Sequence, residues 1–500
     1  AIICPVKSIR RPKMYLGIDI GTSAIKCIAV DEHGKTQEQT NAALSVQRPL
    51  PLYSEQNPAD WWAATNKAVA DISPSIRRSI KAIGLSGQMH GATVIGQDGS
   101  ALRPAILWND GRSLAECEEL ETAVPDLWDI TGNRAMPGFT APKLLWMKQH
   151  EPSRFGDIAK ILLPKDYVRL RMTGDYASDC SDSAGTLWLN TEKRTWSDEV
   201  LGACDLSTEH MPSLFEGNTF TGELRKELAE AWGMSRVPVA AGGSDNAAGA
   251  VGSGTVRAGD AILSLGTSGV TFLADDQYRP NPQGGVHTFC HALPGRWHQM
   301  SVMLSAASAV DWVAEACGFP DPVSLYQAAE EAGVPCSTEI FLPYLTGERT
   351  PHNNPLAQGT LFGLTQNSSG VTLAQAALEG VAFGMADGTD AIRHTGATID
   401  TISVIGGGSR SDYWGKVLAS VLNQPLIYRE GSEVGPAYGA ARLARLALTG
   451  EEIEDVCVPP SIRTVIEPSE KLRDHYARRR PTFQELYKRV APLFNENSSL

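Results

Sequence analysis

The sequence predicts an α/β protein made of two lobes, and three observations lead to this prediction. Segments typical of strands and of helices alternate along the chain without low-complexity stretches. A short apolar run passes into a Gly-Thr-Ser turn twice, in residues 15–23 (YLGIDIGTS) and in residues 263–269 (LSLGTSG). Between these turns, the Gly/Ala-rich stretch 247–254 (AAGAVGSG) indicates a lobe boundary and a flexible hinge.

The composition excludes several classes of protein. With 500 residues, of which 42% are hydrophobic and 20% charged, the chain is long enough for two or more domains with full cores. A formal net charge of -13 argues against a nucleic-acid-binding surface and against a basic membrane patch. No apolar run is long enough to span a bilayer. We therefore expect neither nucleic-acid nor membrane partners, and the sequence leaves open whether the chain forms a homodimer.

The cysteines and the termini bear on location and on the extent of the fold. The nine cysteines are an odd number, lie far apart and include no Cys-x-x-Cys pair. Reduced thiols in a cytoplasm fit them better than a disulfide framework. Residues 1–13 are basic and lack the apolar core of a secretory signal, so Met14 is the expected natural start and residues 1–13 a leader or appended extension. We expect residues 494–500 to form a tail.

Individual elements follow from apolar patterns bounded by turn residues. The spacing predicts helices from Trp61 to Ile72 and from Leu373 to Ile392. The strands that it predicts, besides those before the two Gly-Thr-Ser turns, are residues 82–86, 101–108, 161–163, 237–240 and 402–405.

The two Gly-Thr-Ser turns are candidate phosphate sites. Exposed backbone N–H groups and hydroxyls in such turns, here at residues 21–23 and 266–268, can hold phosphate oxygens. Asp19 ends the first strand, and because a phosphate cradle alone needs no carboxylate, it indicates a Mg²⁺ ion on those phosphates. Neither turn is a P-loop, since no Gly-x-x-x-x-Gly-Lys run occurs. Taken alone, each turn could be an ordinary hairpin.

A third glycine loop, residues 241–246 (AGGSDN), brings a carboxylate and an amide to the end of a predicted strand. Glycines at this point allow the backbone to approach a ligand closely. Asp245 is therefore a candidate functional residue. The alternative is a helix N-cap, which is a common use of Asp after Gly-Gly, and these residues alone leave both interpretations open.

Two further loops have a functional and a structural interpretation. Residues 86–91 (SGQMHG) place Met89 and His90 on a turn that leaves a buried strand, a suitable wall for a small polar ligand. A lone histidine in such a place is more often structural. Residues 406–412 (GGGSRSD) follow a strand and precede a helix, which gives a glycine platform for a purine or, alternatively, a plain strand–helix turn.

In this order, the motifs resemble those of the FGGY carbohydrate kinases, which belong to the actin, hexokinase and heat-shock-protein-70 superfamily. Residues 138–150 (GFTAPKLLWMKQH) fit the first family signature and residues 359–380 fit the second, and both read as packing segments. The resemblance runs from Met14 to near Leu493. It implies two ribonuclease H-like domains with a cleft between them, residues 14–255 for the sugar and the first phosphate segment and residues 256–493 for the nucleotide.

The resemblance also implies a role for each candidate residue. Asp245 would be the base that takes the proton from the sugar's terminal hydroxyl as that oxygen attacks the γ-phosphate of ATP. Asp19 would hold Mg²⁺ through water. The implied sugar-binding residues are Met89, His90, Asp245 and Asn246. The implied nucleotide-binding residues are Gly21, Thr22, Ser23, Lys26, Gly266, Thr267, Gly407, Ser411 and Asp412.

Substrate choice rests on shorter stretches. Residues 88–91, 108–112, 163–167 and 346–353 are similar to the branch of the family that converts D-xylulose to D-xylulose 5-phosphate. Glycerol-specific relatives carry Arg-Glu where this chain has Met89-His90. The alternatives are a kinase for another ketose or polyol, such as ribulose, glycerol or gluconate, and a non-catalytic ATP switch of the same superfamily. Asp245-Asn246 together with Gln88-Met89-His90 favours the enzyme, because a switch needs no sugar-binding wall.

Overall fold

The computed structural model describes residues 12–333, 337–431 and 435–497. Most of the predicted leader therefore lies outside the described residues. The strands are β1 Met14–Ile20, β2 Ala24–Asp31, β3 Thr36–Ala43, β4 Glu55–Gln56, β5 Ile80–Gly87, β6 Thr93–Ile95, β7 Ala105–Ile106, β8 Lys160–Leu162, β9 Ala177–Asp179, β10 Leu189–Asn190, β11 Thr195–Trp196, β12 Ser213–Phe215, β13 Phe220–Glu223, β14 Pro238–Ser244, β15 Asp260–Leu265, β16 Gly269–Asp275, β17 His287–Cys290, β18 Trp297–Met303, β19 Ile340–Leu342, β20 Thr360–Phe362, β21 Thr401–Ile405, β22 Leu426–Arg429 and β23 Ile462–Ile466.

The α-helices alternate with these strands. They are α1 Pro58–Ala70, α2 Pro74–Arg77, α3 Leu114–Ala123, α4 Leu127–Thr131, α5 Thr140–His150, α6 Pro152–Gly156, α7 Pro164–Thr173, α8 Cys180–Ala184, α9 Asp198–Ala203, α10 Lys226–Trp232, α11 Asp245–Ser253, α12 Ala307–Ala316, α13 Pro322–Ala332, α14 Gly370–Arg393, α15 Asp412–Leu422, α16 Pro436–Thr449, α17 Ile453–Val456 and α18 Glu470–Asn497. None of the helices in the described ranges combines the length and the hydrophobicity of a bilayer-spanning segment.

Two large sheets with the same internal order form the two halves of the molecule. The first sheet has the order β13-β14-β5-β1-β2-β3, with β1 parallel to β5 and antiparallel to β2. The second has the order β17-β18-β16-β15-β21-β22-β23, with β15 parallel to β21 and antiparallel to β16. In both, a central strand carries an antiparallel hairpin on one side and parallel strands on the other. The predicted two-lobed α/β fold is confirmed.

Each sheet has one face covered by helices of its own half. Ile18, Trp61 and Val168 share one buried cluster that joins β1 to α1 and α7. Leu263 and Val381 share another, which joins β15 to α14. These apolar contacts remove the sheet faces from water and provide most of the driving force for folding of each half.

A helix of the second half covers the other face of the first sheet, and it packs in turn against α11. Helix α16, from the second half, lies on β1 and β5, where added Cβ atoms at Gly17 and Gly84 would overlap the α16 backbone. Helix α11, from the first half, contributes Ala250 to a cluster with Ile262 and Phe272 of the second sheet. The two halves are therefore joined by a pair of helices as well as by the chain.

The Gly/Ala-rich stretch is helix α11, and the expectation of a flexible hinge there is wrong. Helix α11 crosses α16 in backbone contact, because a Cβ on Gly252 would lie 2.7 Å from the Gly435 carbonyl oxygen. Arg442 of α16 donates hydrogen bonds to the Val251 and Gly252 carbonyls near the end of α11. The small residues serve close packing rather than freedom of the chain.

Most predicted elements are confirmed, including the two helices and the strands at residues 82–86 and 402–405. The strand predicted over residues 101–108 is wrong except for β7. Pro104 lacks an N–H for a ladder, and β7 pairs only over two residues with β4. The predicted tail is also wrong up to Asn497, because α18 continues that far and buries Phe494.

We expect Gly439→Ala to lower the midpoint of thermal unfolding by several degrees. A Cβ at this position would overlap the Ala248 carbonyl oxygen, so the two crossing helices would have to separate, at a cost of about 1–3 kcal/mol. Gly202→Ala is the matched control, since Gly202 is an exposed helical glycine with open space around it. Equal midpoints for the two variants, measured by calorimetry, would contradict the close packing.

Candidate active site

Three parallel strand ends bring the predicted residues together. In the register of the first sheet, Asp19 of β1 pairs with Ser86 of β5, and Ser86 pairs with Gly243 of β14. The three strands end at Ile20, at Gly87 and at Ser244. Because the carboxyl ends of parallel strands meet at one edge, Asp19 and Asp245 face the same space.

Ser244, and not Asp245, caps helix α11. The Ser244 hydroxyl accepts a hydrogen bond of 3.3 Å from the Ala247 N–H. The N-cap interpretation of Asp245 is therefore wrong, and its carboxylate is not needed for capping. Asp245 Oδ1 accepts hydrogen bonds from the Asn246 backbone N–H at 2.7 Å and from Asn246 Nδ2 at 3.0 Å. These bonds orient the carboxylate at the positive end of the helix.

Asp19 and Asp245 act on each other electrostatically. Burial, followed by the negative charge of Asp19, raises the pKa of Asp245 to about 7. Burial also raises the pKa of Asp19 to about 6, against the opposing effects of the Ser86 hydroxyl and of the Lys26 charge on the neighbouring strand. Asp19 Oδ1 is buried with no hydrogen-bond partner in the described part of the chain. Two such carboxylates form a region that favours a cation.

The donor set fits a magnesium ion that is shared with a ligand. Mg²⁺ is usually held by one or two carboxylates together with water and phosphate oxygens. Within residues 12–333, 337–431 and 435–497, no group of three His, Cys, Asp or Glu side chains could hold a metal by itself. Asp19 with its unpartnered oxygen is the residue that would supply the protein ligand.

The first Gly-Thr-Ser turn is fixed by side chains from three other elements. The Thr22 hydroxyl donates to Gln88 Oε1 at 2.9 Å and accepts from Trp108 Nε1 at 3.0 Å. Gln56 Nε2 donates to the Thr22 carbonyl at 2.7 Å. Ser23 is exposed at the tip of the turn. A loop held in this way can present its backbone N–H groups without paying for ordering on binding.

The second turn is anchored to the start of α12. The Thr267 carbonyl accepts from the Ala306 N–H at 2.9 Å and from the Ser308 hydroxyl at 2.8 Å, and the Gly266 carbonyl accepts from the Ala307 N–H at 3.0 Å. The carbonyls therefore point into the protein, and the Thr267 side chain is exposed. Like the first turn, the second turn is therefore held in place by hydrogen bonds from residues outside it.

The glycine platform, residues 406–412, contributes one of the predicted residues, Gly407, to the lining of a large cavity between the two halves, which is the main cavity. Gly406 has φ 93°, and a Cβ there would lie 2.6 Å from the Leu265 carbonyl oxygen. Gly407 has open space and lines the cavity. Ser411 is buried and caps α15 by accepting from the Trp414 N–H at 3.1 Å. Neither Ser411 nor the exposed Asp412 lines the cavity.

The cavity has a volume of about 880 Å³ and starts at Asp245. It runs between α11 and the second sheet and ends at Tyr428 and Arg463, where the guanidinium lies 5.7 Å from the ring centre. Its size is typical of a small-molecule site. The lining residues that the sequence analysis did not single out include Ile262, Ser264, Phe272, Arg429, Pro436 and Pro460. Of these, Pro436 could have been found from the sequence, because Gly435-Pro436 before a helical pattern indicates a helix N-terminus.

Met89 and His90 form a wall beside Asn246. Met89 is buried, and its Sδ lies 3.7 Å from Asn246 Nδ2. The His90 Nδ1 lies 2.6 Å from the Gly185 carbonyl, which can only accept, so Nδ1 carries the proton and Nε2 is left as an acceptor. Burial, with the nearby Lys143 ammonium, lowers the pKa of His90 to about 3. The imidazole is therefore neutral.

The first signature segment supports this wall. Lys143 of α5 is buried and donates to the His90 carbonyl at 2.9 Å and to the Gly138 carbonyl at 2.7 Å. The Phe139 ring lies 4.7 Å from the His90 ring, edge on. His90 itself has φ 67°, in the left-handed region. The segment thus acts by packing. Asp245 and Asn246 line the cavity of about 880 Å³, whereas Met89 and His90 do not.

Known proteins share these features. Models of the N-terminal and C-terminal domains of the FGGY family of carbohydrate kinases match residues 14–252 and 261–448. The chain is 52% identical over 483 residues to the xylulose kinase of Escherichia coli (strain K12) and 49% identical over 484 residues to that of Klebsiella pneumoniae. Both alignments cover 96% of this chain and 100% of the relative. A crystal structure of a xyloylose kinase from Brucella ovis matches with a TM-score of 0.93 at 46% identity, over 96% of this chain and 100% of that one.

We expect Asp19→Asn to lower the pKa of Asp245 below about 7, because it removes the negative charge that opposes ionisation. Carbon-13 NMR titration of selectively labelled aspartate carboxyls measures this directly. Asp60→Asn is the control, since Asp60 is exposed on α1. An unchanged Asp245 titration in the Asp19 variant would show that the two carboxylates are not coupled.

Proposed function

The chain belongs to the FGGY family of carbohydrate kinases, and from this we propose that it transfers the γ-phosphate of ATP to D-xylulose and forms D-xylulose 5-phosphate. Two relatives that carry the name xylulose kinase support the choice of sugar, at 52% and 49% identity over 96% of the chain. The observation that carries the chemistry is the Asp19–Asp245 pair at converging strand ends, next to a phosphate turn.

In this proposal Asp245 is the general base. It accepts the proton of the sugar's terminal hydroxyl as that oxygen attacks the γ-phosphorus. A carboxylate with a pKa near 7 is a stronger base than an ordinary aspartate and is about half ionised at neutral pH. Phosphoryl transfer needs positioning and charge neutralisation more than covalent help. The hydrogen bonds from Asn246 hold the Asp245 oxygen in place.

Asp19 is the proposed holder of Mg²⁺, through water. When bound, the ion neutralises charge on the phosphate oxygens. The buried and unpartnered Oδ1 of Asp19 supports this assignment. Lys26, opposite Asp19 in the hairpin, adds a positive charge on the same side.

We propose that the nucleotide lies between the two halves. Its phosphates would contact the turns at Gly21, Thr22 and Ser23 and at Gly266 and Thr267, and its adenosine the platform that starts at Gly407. The anchoring of both turns supports this. The hydroxyl of Ser411 is used in capping α15, so in this proposal Ser411 and Asp412 act by positioning that platform. Residues 14–255 then form the sugar domain and residues 256–493 the nucleotide domain.

The proposed sugar site is Met89, His90, Asp245 and Asn246. The neutral His90 ring would accept a hydrogen bond from a sugar hydroxyl through Nε2, and Asn246 Nδ2 would donate one. Residues 89 and 90 are Met and His, not the Arg-Glu pair of glycerol-specific relatives, and this supports a longer sugar over glycerol. A non-catalytic ATP switch would need neither this wall nor a base with a raised pKa, so the structure favours the enzyme.

A cytoplasmic location is part of the proposal. The seven cysteines within the described ranges are free thiols, as expected for a reducing compartment.

We expect Asp245→Asn to reduce kcat by about 10² to 10⁴-fold or more, because the amide cannot accept the proton. Asp198→Asn is the matched control, since Asp198 also follows a serine N-cap at the start of a helix. In the unaltered protein, kcat/KM for the sugar should rise with pH to a plateau, with a midpoint near 7, since the base works only when deprotonated. A coupled assay of ADP release measures both. Near-normal turnover of the Asn variant would remove Asp245 from the mechanism.

We expect His90→Asn to raise KM for D-xylulose about 3- to 10-fold and to leave KM for ATP within about 2-fold, as loss of one hydrogen bond predicts. Asparagine tolerates the left-handed backbone at this position. His150→Asn is the control, because the His150 ring bonds to Trp146 of its own helix. Equal effects on both substrates would make His90 structural. In a panel, a ranking led by D-ribulose, glycerol or gluconate would contradict the proposed sugar.

A further inference from the structure

A buried charge cluster lies behind the catalytic strand end. The ammonium of Lys165 lies 2.6 Å from Asp166 Oδ1, 2.8 Å from Asp179 Oδ1 and 3.3 Å from Asp182 Oδ2. All four side chains are 0% exposed. Removing such groups from water is expensive, and a buried ion pair contributes little net stability. The contacts of this cluster indicate a role other than stability.

The cluster is electrostatically close to Asp245. Burial opposes the charge of Lys165, but the three carboxylates outweigh it and raise the pKa of the lysine. Asp182 has the opposite balance. Burial, with the charges of Asp179, Asp166 and Asp245, raises its pKa well above the ordinary value against the attraction of Lys165. The closest partners of the Lys165 ammonium are Asp166 and Asp179, at 2.6 and 2.8 Å, with Asp182 farther away at 3.3 Å.

A hydrogen-bonded chain connects the Lys165–Asp179 ion pair to the peptide before Asp245. The Ser181 hydroxyl donates to Asp179 Oδ2, which also accepts from the Ser181 N–H at 2.7 Å. With its proton committed in this direction, the Ser181 oxygen accepts the Ser244 N–H at 3.0 Å. The Ser244 hydroxyl then caps α11 at Ala247. Both ends of the Ser244 residue are fixed, and Asp245 follows it directly.

We propose that Ser181 is a positioning residue for the base Asp245. It is oriented by the buried Lys165–Asp179 pair and fixes the Ser244 peptide from which the base projects. This inference rests on the proposed role of Asp245. It assigns a function to α8, none of whose residues lines the main cavity.

The test is Ser181→Ala compared with Ser183→Ala. Both serines are buried on α8, but Ser183 donates to Ser178 and not to the β14 end. We expect Ser181→Ala to lower kcat about 10- to 100-fold with KM for ATP unchanged, because a displacement of the reacting groups by about 1 Å has such an effect. Ser183→Ala should keep its kcat. Both thermal midpoints are measured alongside.

The pH profile separates positioning from general damage. The titratable groups whose charges couple to Asp245 are Asp19 on β1 and Asp182 on α8. A looser Asp245 is better hydrated, so the acid limb of kcat/KM in Ser181→Ala should move to lower pH. An unchanged kcat and acid limb would overturn the inference. So would equal losses in both serine variants, or a fall in thermal midpoint without a change in kcat. Failure of Asp245→Asn to reduce turnover would instead overturn the proposed base.

Discussion

The repulsion between two carboxylates is the constraint around which this molecule is built. Asp19 and Asp245 come from different strands of one sheet, and the parallel register of β1, β5 and β14 holds their strand ends at one edge. Asp19 is held in the β1 ladder, and Asp245 directly follows the last residue of β14. Burial raises the pKa of both groups, and the charge of Asp19 raises that of Asp245 further.

The surroundings of the pair prevent it from relaxing. Gln88, Gln56 and Thr22 form a connected set of hydrogen bonds beside Asp19, and Trp108 closes the set at the surface. On the other side, the capping of α11 fixes the backbone of Asp245. Preorganised groups of this kind need little rearrangement during a reaction. The neutral His90 contributes recognition without adding a further charge to an already crowded electrostatic site.

How much of this could be read from the sequence depends on whether the cause was local. The Gly-Thr-Ser turns and the carboxylate at Asp245 could be predicted because a strand followed by a turn is determined by consecutive residues. The strand predicted at residues 101–108 failed because its apolar pattern did not reveal the missing partner strand. The hinge prediction failed because glycine permits both flexibility and close packing, and only the presence of α16 selects the second. Residues such as Tyr428 and Arg463 line the cavity through a meeting of distant segments, for which no local signal exists.

The crossing of α11 and α16 has a mechanical consequence. Asp245 is covalently continuous with the first sheet through β14, and the helix that begins at this residue packs against α16 of the second half. The crossing is closed by backbone approach at Gly439 and by hydrogen bonds from Arg442 to the Val251 and Gly252 carbonyls. A segment of the second half therefore holds the helix from whose first residue the carboxylate projects, so the position of the base depends on residues of both halves.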